Sequence, residues 1–272
     1  KTAAAIAANV GRLQFVSGER VRDELSHIIL SDQAAHGIKR LCELGLITFI
    51  IPELTDLAST DQDTPHQHKD VLTHTLQVMG GVPPELTIRL AALLHDIGKP
   101  STKSIKNGRV QFHGHEIVGT RITRGILERL RYDKVTIRAV CDLVGWHMRS
   151  NLYESDWTDG AVRRYMRDVG NRRCQLLKLS RADITSYRSR KIELGLKRVA
   201  ELEARCNLLA GQEDVEKMTS PLDGVDLMDL FGRKPGPWIR PIKEYLLDMV
   251  LDGKLHTGDK EKAAMLAKEF DK

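Results

Sequence analysis

Apolar residues recur at helical spacing along most of this chain of 272 residues. Residues 16–30 illustrate the pattern: Val21, Leu25 and Ile29 fall on one face of a helix, and Ser17 is placed to cap its start. No stretch of any length alternates apolar and polar residues as a strand does, and the sequence has no repeat of about 20–50 residues. The pattern predicts an all-α fold. Long predicted helices span residues 1–10, 16–30, 34–54, 69–80, 84–97, 113–130, 134–147, 158–169, 171–208 and 259–270.

Glycine and proline mark where several of these helices end. The helix over 34–54 is expected to stop near Gly45, and Pro52 limits any continuation. The segment 222–255 is predicted to form a short helix, a Gly-Pro-rich turn and a second helix. The one strand-like piece, 109–112, follows a turn sequence and is expected in a small hairpin at most.

Polar segments without apolar periodicity predict the boundaries between parts of the chain. Residues 58–68 contain one proline among polar residues and are predicted as a loop and a domain seam. Residues 211–219 are predicted as a polar linker. We therefore expect three helical parts, over residues 1–60, 61–190 and 191–272.

Composition narrows the class of protein. Apolar residues make up 41% and charged residues 29%, as in ordinary globular proteins, and no apolar run reaches the length of a membrane span. The net charge of +5, from 42 basic and 37 acidic residues, permits an acidic partner such as RNA without requiring one. No secretion signal is recognisable at the N-terminus. Because the sequence starts without Met, we expect a fragment of a longer parent.

The four cysteines indicate a reducing compartment. They are far apart and form no Cys-x-x-Cys pair, so the sequence signals neither a zinc ribbon nor a disulfide framework. We expect a cytoplasmic protein in which these residues are buried apolar thiols.

Several histidines and aspartates lie inside or at the ends of apolar helical segments. Any one of them alone is more often a hydrogen-bonded core residue or a solvated acid than a ligand. Burying the whole set in a helical bundle is costly unless a cation binds it, and imidazole with carboxylate suits a divalent transition metal. The set comprises His74, His95, Asp96, His115, His147 and Asp183.

The order of these residues resembles the H…HD…H…H…D pattern of the HD superfamily of metal-dependent phosphohydrolases, and "HDIGK" at 95–99 matches its HDIG variant. The resemblance covers about residues 66–188. It implies that the six residues hold one or two divalent ions (Mn, Ni, Co, Mg or Fe), with Asp96 able to bridge two. It also implies that water activated there attacks phosphorus, with His95, Asp96 and Lys99 as catalytic residues.

Other residues near this pattern have less certain roles. Lys99 lies one helical turn from His95, where it can contact a phosphate or simply be a solvated lysine. His113 has no place in the pattern and is expected at the surface or behind the ligands. His66 and His68 precede the pattern in a loop and are left out of the ligand set.

Arginines are concentrated in residues 156–183. Arg163 and Arg167, four residues apart, share a helix face. Arginine binds phosphate in a bidentate manner, so this region can contact a nucleotide or RNA, and Arg163 and Arg164 are the best candidates. The alternative is a solvated helix face neutralised by nearby aspartates.

The flanking segments resemble bacterial class II tRNA nucleotidyltransferases, the CCA-adding enzymes and their poly(A) polymerase relatives. Residues 11–54, with "RLQFVSGERVRDEL" and "LGLITFIIPEL", are similar to their neck region, and residues 222–255 are similar to their tail. The resemblance implies that Glu19, Arg20 and Glu24 support a nucleotide pocket. Spacing alone indicates only a helix with an Arg20–Glu24 charge pair.

The polymerase head of that family is not recognisable. Its Gly-Gly-x-Val-Arg-Asp and Asp-x-Asp motifs are absent from the sequence, so we expect no CCA addition by these residues alone. Three hypotheses remain. The first is the neck, HD and tail region of a CCA-adding enzyme whose HD domain hydrolyses 2′,3′-cyclic phosphates or phosphomonoesters at RNA 3′ ends, or small nucleotides. The second is a non-catalytic tRNA-binding module with a vestigial cluster. The third is a free-standing HD nucleotide hydrolase, which leaves both flanks unexplained.

Overall fold

A computed structural model describes residues 2–60, 70–107, 109–185, 189–212 and 215–271. The described residues are almost entirely helical, which confirms the all-α prediction. The chain divides into two compact units. Unit 1 comprises residues 1–152 and 174–196, and unit 2 comprises residues 153–173 and 197–272. The expected three-part division stays a prediction.

Unit 1 begins with five helices that precede the candidate site. The predicted helix over 34–54 is divided into three short helices: Gly45 adopts φ 72°, a left-handed conformation that ends a helix, and Pro52 starts the last piece. The helices are α1 (Thr2–Asn9), α2 (Gly18–Leu30), α3 (Ala34–Glu43), α4 (Ile47–Ile50) and α5 (Glu53–Ala58), with a 3₁₀ turn at Val10–Phe15.

The rest of unit 1 contains the helices that position the candidate site. Asp70 and Asp133 cap two of them by accepting hydrogen bonds from backbone N–H groups. The elements are α6 (Val71–Gly81), α7 (Leu86–Leu94), α8 (Lys99–Thr102), β1 (Ser104–Lys106), β2 (Arg109–Gln111), α9 (His115–Arg129), α10 (Lys134–Trp146), a 3₁₀ turn at Ser150–Leu152 and α12 (Arg173–Asp183). The strands pair antiparallel with Ile105 opposite Val110, which confirms the predicted hairpin.

Helix α7 is the centre of unit 1. All of its residues from Ile88 to Leu94 are buried, because it packs against α2, α6 and α10. A helix that is apolar on every side requires this position. Its one charged residue, Arg89, donates to the backbone O of Ile29 at 2.7 Å and to that of Ser31, and so satisfies carbonyl groups at the end of α2.

Unit 2 is a separate helical cluster. It consists of α11 (Asp159–Val169), most of α13 (Ser189–Gln212), α14 (Gly224–Phe231), α15 (Ile239–Leu251) and α16 (Lys260–Phe270), with 3₁₀ turns at Gly170–Arg172 and Val215–Lys217. The predicted short helix, turn and helix over 222–255 are confirmed. An apolar core is formed by Leu222, Leu227, Ile242, Leu246, Val250, Leu255, Ala263 and Ala267.

The four cysteines are free, as expected. Burial raises the pKa of Cys206 to about 11, so this thiol stays protonated and inert at neutral pH. The expectation that all four are buried is wrong for Cys174, which is exposed. Among the described residues, none of the helices combines the length and hydrophobicity that crossing a membrane requires.

Candidate metal centre

Five helices of unit 1 deliver the predicted ligands to one place. His74 lies within α6, His115 is the first residue of α9, and Asp183 is the last residue of α12. His95 and His147 follow directly after α7 and α10. Asp96 follows His95. The four histidines and Asp96 are buried, and the side chain of Asp183 is 14% exposed.

Three of the histidine rings are oriented by the same local device. In His95, His115 and His147, Nδ1 lies 2.8, 2.8 and 2.7 Å from the backbone O three residues earlier, to which it donates. This bond directs Nε2 toward the interior of the site, as in metal-ligating histidines generally. His74 differs, because its Nδ1 lies 3.0 Å from the hydroxyl of Thr185.

Asp96 lies between two pairs of histidines. Its Oδ2 is 3.2 Å from His95 Nε2 and 3.6 Å from His74 Nε2, and its Oδ1 is 3.5 Å from His115 Nε2. His115 Nε2 is in turn 3.1 Å from His147 Nε2. Two groups of three possible ligands result, one with His74 and His95 and one with His115 and His147, and Asp96 belongs to both. The geometry is that of a carboxylate able to bridge two ions.

Asp183 faces the first of these two groups. Its Oδ1 lies 3.0 Å from His74 Nε2 and 3.5 Å from His95 Nε2. Its Oδ2 accepts a hydrogen bond from Asn151 Nδ2 at 3.3 Å. The structure thus brings together all six ligands that the sequence predicts.

The charges of the cluster depend strongly on one another. Burial alone would lower the pKa of His95, but the charge of Asp96 and hydrogen bonds with Asp183 and Asp96 raise it to about 10. Burial and the neighbouring charge of His95 lower the pKa of His147 to about 4. Burial would raise the pKa of both carboxyl groups, but the histidines hold both pKa values well below the ordinary range. The cluster therefore places ionised carboxylate oxygens beside imidazole nitrogens, and this donor set fits a divalent transition metal.

Lys99 lies inside this site. Its Nζ is 2.7 Å from Asp96 Oδ2 and 5.5 Å from the centre of the Phe112 ring, and its side chain is 14% exposed. Lys99 is therefore not a freely solvated lysine. Contact with a phosphate stays a prediction. His113 is exposed, as expected, and pairs with Gln111; His66 and His68 lie outside the described residues.

Three residues at the site were not predicted from the sequence. Thr185 contacts His74, and Asn151 contacts Asp183. Gly98 allows α9 to approach the turn after α7, since a Cβ at this position would lie 2.6 Å from the backbone N of Gly119 and would collide with the backbone O of His115. The glycine of the HDIG motif could have been predicted to matter from the sequence. The contacts of Thr185 with His74 and of Asn151 with Asp183 could not, because they join residues that are distant in sequence and lie partly outside the motif.

The residues expected to support a nucleotide pocket lie on α2. Glu19, Arg20 and Glu24 are exposed, and the last two line a cavity of about 460 Å³ with apolar residues of the same unit. The predicted Arg20–Glu24 ion pair is not formed within the described residues. Instead Arg22 forms an ion pair with the next residue, Asp23, at 2.7 Å. The nucleotide role stays a prediction.

The side chains of Arg163 and Arg164 both contact other residues of unit 2. Arg163 Nη1 donates to the backbone O of Leu251 at 3.0 Å. Arg164 pairs with Asp248 and Asp252, each at 2.7 Å. These contacts attach α11 to the end of α15. RNA contact by either arginine stays a prediction.

Two family models match this chain. Residues 1–57 match a model described as a probable RNA and SrmB-binding site of polymerase A. Residues 71–229 match the model of the HD domain. Both matches confirm the resemblances that the sequence motifs indicated.

Curated relatives extend the similarity over most of the chain. An A-adding tRNA nucleotidyltransferase of Deinococcus radiodurans is 34% identical over 262 residues, which are 93% of this chain and 59% of that protein. A CC-adding tRNA nucleotidyltransferase of Thermus thermophilus is 33% identical over 259 residues, 91% of this chain and 56% of the relative. A multifunctional CCA protein of Halorhodospira halophila is 28% identical over 145 residues, 52% of this chain and 34% of the relative. The chain thus spans somewhat more than half the length of the first two relatives.

Proposed function

This chain belongs to the HD domain family, and from that premise we propose that its buried cluster binds one or two divalent ions and hydrolyses phosphate esters. The observation that carries the proposal is the convergence of His74, His95, Asp96 and Asp183 on one side and His115 and His147 on the other, with Asp96 shared. A retained scaffold without chemistry would not need five buried ionisable groups and a sixth, Asp183, that is only 14% exposed, because such groups are costly without a cation.

Two sets of ligands follow from the distances. His74, His95 and Asp183 with one oxygen of Asp96 would hold the first ion, and His115 and His147 with the other oxygen would hold the second. A bound divalent ion makes water more acidic and offsets negative charge on phosphate oxygens. Hydrogen bonds to backbone carbonyls keep three of the imidazoles in the ligating orientation.

Lys99 adds a fixed positive charge beside the shared carboxylate. Its Nζ is 2.7 Å from Asp96 Oδ2, and its side chain is partly accessible. The oxygens of a phosphate that enters the site can therefore replace this carboxylate as the partner of Nζ. A lysine is a point charge with three donors and suits this role. We assign Lys99 to phosphate binding, with His95 and Asp96 at the reacting centre.

The substrate class follows from the flanking segment and the relatives. Residues 1–57 match an RNA-binding model, and the relatives from Deinococcus radiodurans and Thermus thermophilus are named for adding nucleotides to tRNA. We propose that the parent protein acts on tRNA 3′ ends and that this site removes 2′,3′-cyclic phosphates or phosphomonoesters from RNA ends, or acts on small nucleotides. Residues 1–272 alone should not add CCA, because the motifs of the polymerase head are absent from the sequence.

The test is turnover of adenosine 2′,3′-cyclic phosphate and of a 3′-phosphorylated oligoribonucleotide with Mn²⁺, Ni²⁺, Co²⁺, Mg²⁺ or Fe²⁺. We expect metal-dependent hydrolysis that Asp96→Ala reduces by about a thousandfold, since the loss of a shared ligand removes several kcal/mol of stabilisation. Asp229→Ala removes an exposed carboxylate of α14 and is the control. Hydrolysis that needs no metal, or that Asp96→Ala leaves intact, would contradict the proposal.

A second candidate function is tRNA binding without hydrolysis, which the RNA-binding match over residues 1–57 supports. Filter binding of tRNA across a range of salt concentrations tests it, because contacts to phosphates weaken as salt rises. Arg20→Ala, at an exposed position of α2, should then weaken binding. The absence of affinity even at low salt would eliminate this candidate.

A further inference from the structure

One polar atom beside the metal centre has no partner. Six side chains of the described residues have a buried nitrogen or oxygen atom without a hydrogen bond, and Asn151 is among them, through its Oδ1. Its amide nitrogen is hydrogen-bonded to Asp183, a candidate ligand. A buried amide oxygen without a donor is costly, so such an atom in a native structure calls for a missing partner.

The orientation of this amide is determined by its neighbour. With Nδ2 3.3 Å from Asp183 Oδ2, the amide donates and the carboxylate accepts. Rotating the amide by half a turn would place two oxygens against each other and leave the nitrogen as the buried unpaired atom, which is worse on both counts. Oδ1 is therefore the free acceptor, and a hydrogen-bond donor or a bound cation would complete it.

The position of Asn151 is fixed by the backbone. It lies in the 3₁₀ turn that follows His147, and its backbone N–H donates to the O of Met148 at 3.1 Å. Asp183, on the other side of the amide, faces His74 and His95. Asn151 thus joins the ends of two ligand-bearing helices, α10 and α12, although it is not part of the H…HD…H…H…D pattern.

We propose that Asn151 is a hydroxyl-binding residue of this site: Nδ2 holds Asp183, and Oδ1 accepts a hydrogen bond from an O–H group next to the reacting phosphorus. The attacking water is a donor adjacent to phosphorus for every proposed substrate. The neighbouring ribose hydroxyl is a second donor for a 3′-phosphomonoester, which keeps its 2′-hydroxyl, but not for a 2′,3′-cyclic phosphate, in which both hydroxyls are esterified. Both supply the same O–H group. The ribose hydroxyl is also the group that distinguishes RNA from DNA. This inference rests on the proposed phosphohydrolase function.

Two substrates that differ by one hydroxyl separate the sources. Adenosine 3′-monophosphate carries a 2′-hydroxyl beside its phosphate, and 2′-deoxyadenosine 3′-monophosphate lacks it. If Asn151 binds the ribose hydroxyl, the wild type should prefer the ribonucleotide by about tenfold or more in kcat/KM, and Asn151→Ala should bring that ratio close to one. If Asn151 binds the attacking water, Asn151→Ala should lower kcat by the same factor on both substrates with KM unchanged.

Two further variants control for structural damage. Asn151→Asp keeps an acceptor at the position of Oδ1 but replaces the donor to Asp183 with a second carboxylate oxygen; it should weaken Mn²⁺ binding in calorimetry while the preference for the ribonucleotide persists. Asn207→Ala alters an exposed asparagine of α13 and should change neither substrate preference nor Mn²⁺ affinity. Wild-type rates on both substrates in Asn151→Ala would overturn the inference.

The proposed function can fail separately from this inference. If the wild type hydrolyses neither nucleotide, the proposed phosphohydrolase function is contradicted. The role of Asn151 is then tested by measuring, with calorimetry, the binding of the two nucleotides to the Mn²⁺-loaded protein. A weaker affinity of Asn151→Ala for the ribonucleotide alone would still support hydroxyl binding. An affinity equal to that of the wild type for both nucleotides would overturn it.

Discussion

The two units of the chain bury different kinds of side chain. Every polar or charged residue that is buried in the described part of the chain belongs to unit 1, and four of them are the histidines of the candidate centre. The core cluster of unit 2 is entirely apolar. Buried polar groups cost stability unless they are satisfied, so the core of unit 2 contributes to stability alone, whereas the buried groups of unit 1 accord with the proposed metal site.

Charged residues show the same contrast. In unit 2 several arginines are paired with acids, as Arg205 is with Asp159 at 2.7 Å and Arg233 with Asp271 at 2.9 Å. In the centre of unit 1, two carboxylates share the positive charges of His95 and Lys99. Ion pairs at the surface contribute little to stability. Buried charges are costly to desolvate, and removing one partner of a buried set is strongly destabilising.

The largest effect should come from the apolar core of unit 2. Leu246→Ala truncates a fully buried leucine of α15 and should lower the free energy of unfolding by about 2–5 kcal/mol. Mn²⁺ affinity, measured by calorimetry, should stay unchanged, because all six candidate ligands are in unit 1. Leu208→Ala, on an exposed side chain, is the control. A loss of Mn²⁺ affinity in Leu246→Ala would contradict the assignment of metal binding to unit 1 alone.

Added metal should stabilise unit 1 through its cluster. At a free Mn²⁺ concentration of 100 times Kd, the stability should rise by about 2.7 kcal/mol, which thermal unfolding with and without a chelator would measure. Asp96→Ala removes the oxygen atoms common to both groups of ligands and should abolish the rise. The same rise in that variant would show that the ion binds elsewhere.

Close backbone contact at Gly98 should matter for both stability and the site. Gly98→Ala would place a Cβ against the backbone of His115 and Gly119, neither of which can move cheaply, and should cost about 1–3 kcal/mol. Because His115 begins α9 here, Mn²⁺ affinity should fall by about 10–100-fold. Gly125→Ala is the control: Gly125 lies within α9, no described atom lies within 4 Å of the added Cβ, and the change should stabilise by about 0.5–1 kcal/mol. Equal behaviour of the two variants would contradict this account.

The all-α class and the grouping of the six candidate ligands were predictable from the sequence for different reasons. Helical periodicity predicted the fold because most described helices bury one face, as α2 does with Leu25 and Ile29. The ligand set was predictable because His95 and Asp96 are adjacent and the others follow in a known order. The break of residues 34–54 into three helices was predicted by Gly45 and Pro52 rather than by periodicity, since ending a helix at Gly45 depends on a local φ and not on hydrophobicity.

Contacts between residues distant in sequence were the part that the sequence did not provide. Asn151 and Asp183 meet only because α10 and α12 end at the same place, and no pattern within either helix indicates it. The predicted Arg20–Glu24 ion pair is not formed within the described residues for a related reason. Spacing of i,i+4 permits an ion pair, but such a pair contributes too little free energy for the spacing alone to enforce it. Arg163 and Arg164 were assigned by charge alone, and their partners lie more than 80 residues away.

The smallest effect should come from Arg164 in unit 2. Its side chain is 37% exposed and pairs with Asp248 and Asp252, so Arg164→Ala should cost about 0.5–1 kcal/mol at neutral pH. Partial burial would raise the pKa of Asp252, but hydrogen bonds from Lys254 and Arg164 lower it. A carboxylate with a depressed pKa stabilises the fold above its unfolded pKa of about 3.9, and this stability is lost as pH falls through the folded pKa. The difference between wild type and Arg164→Ala in urea unfolding should therefore shrink below about pH 4.

The same variant distinguishes a structural arginine from one that contacts RNA. A guanidinium committed to two aspartates does not release counterions from RNA, so the salt dependence of tRNA binding should be the same in Arg164→Ala as in the wild type. An arginine that binds a phosphate would instead reduce the slope of log affinity against log salt by about one when removed. Arg240→Ala, on an exposed arginine paired only with Glu244 of the same helix, provides the comparison for general loss of charge. A reduced slope in Arg164→Ala but not in Arg240→Ala would give unit 2 a direct role in binding RNA and end its description as a purely stabilising unit.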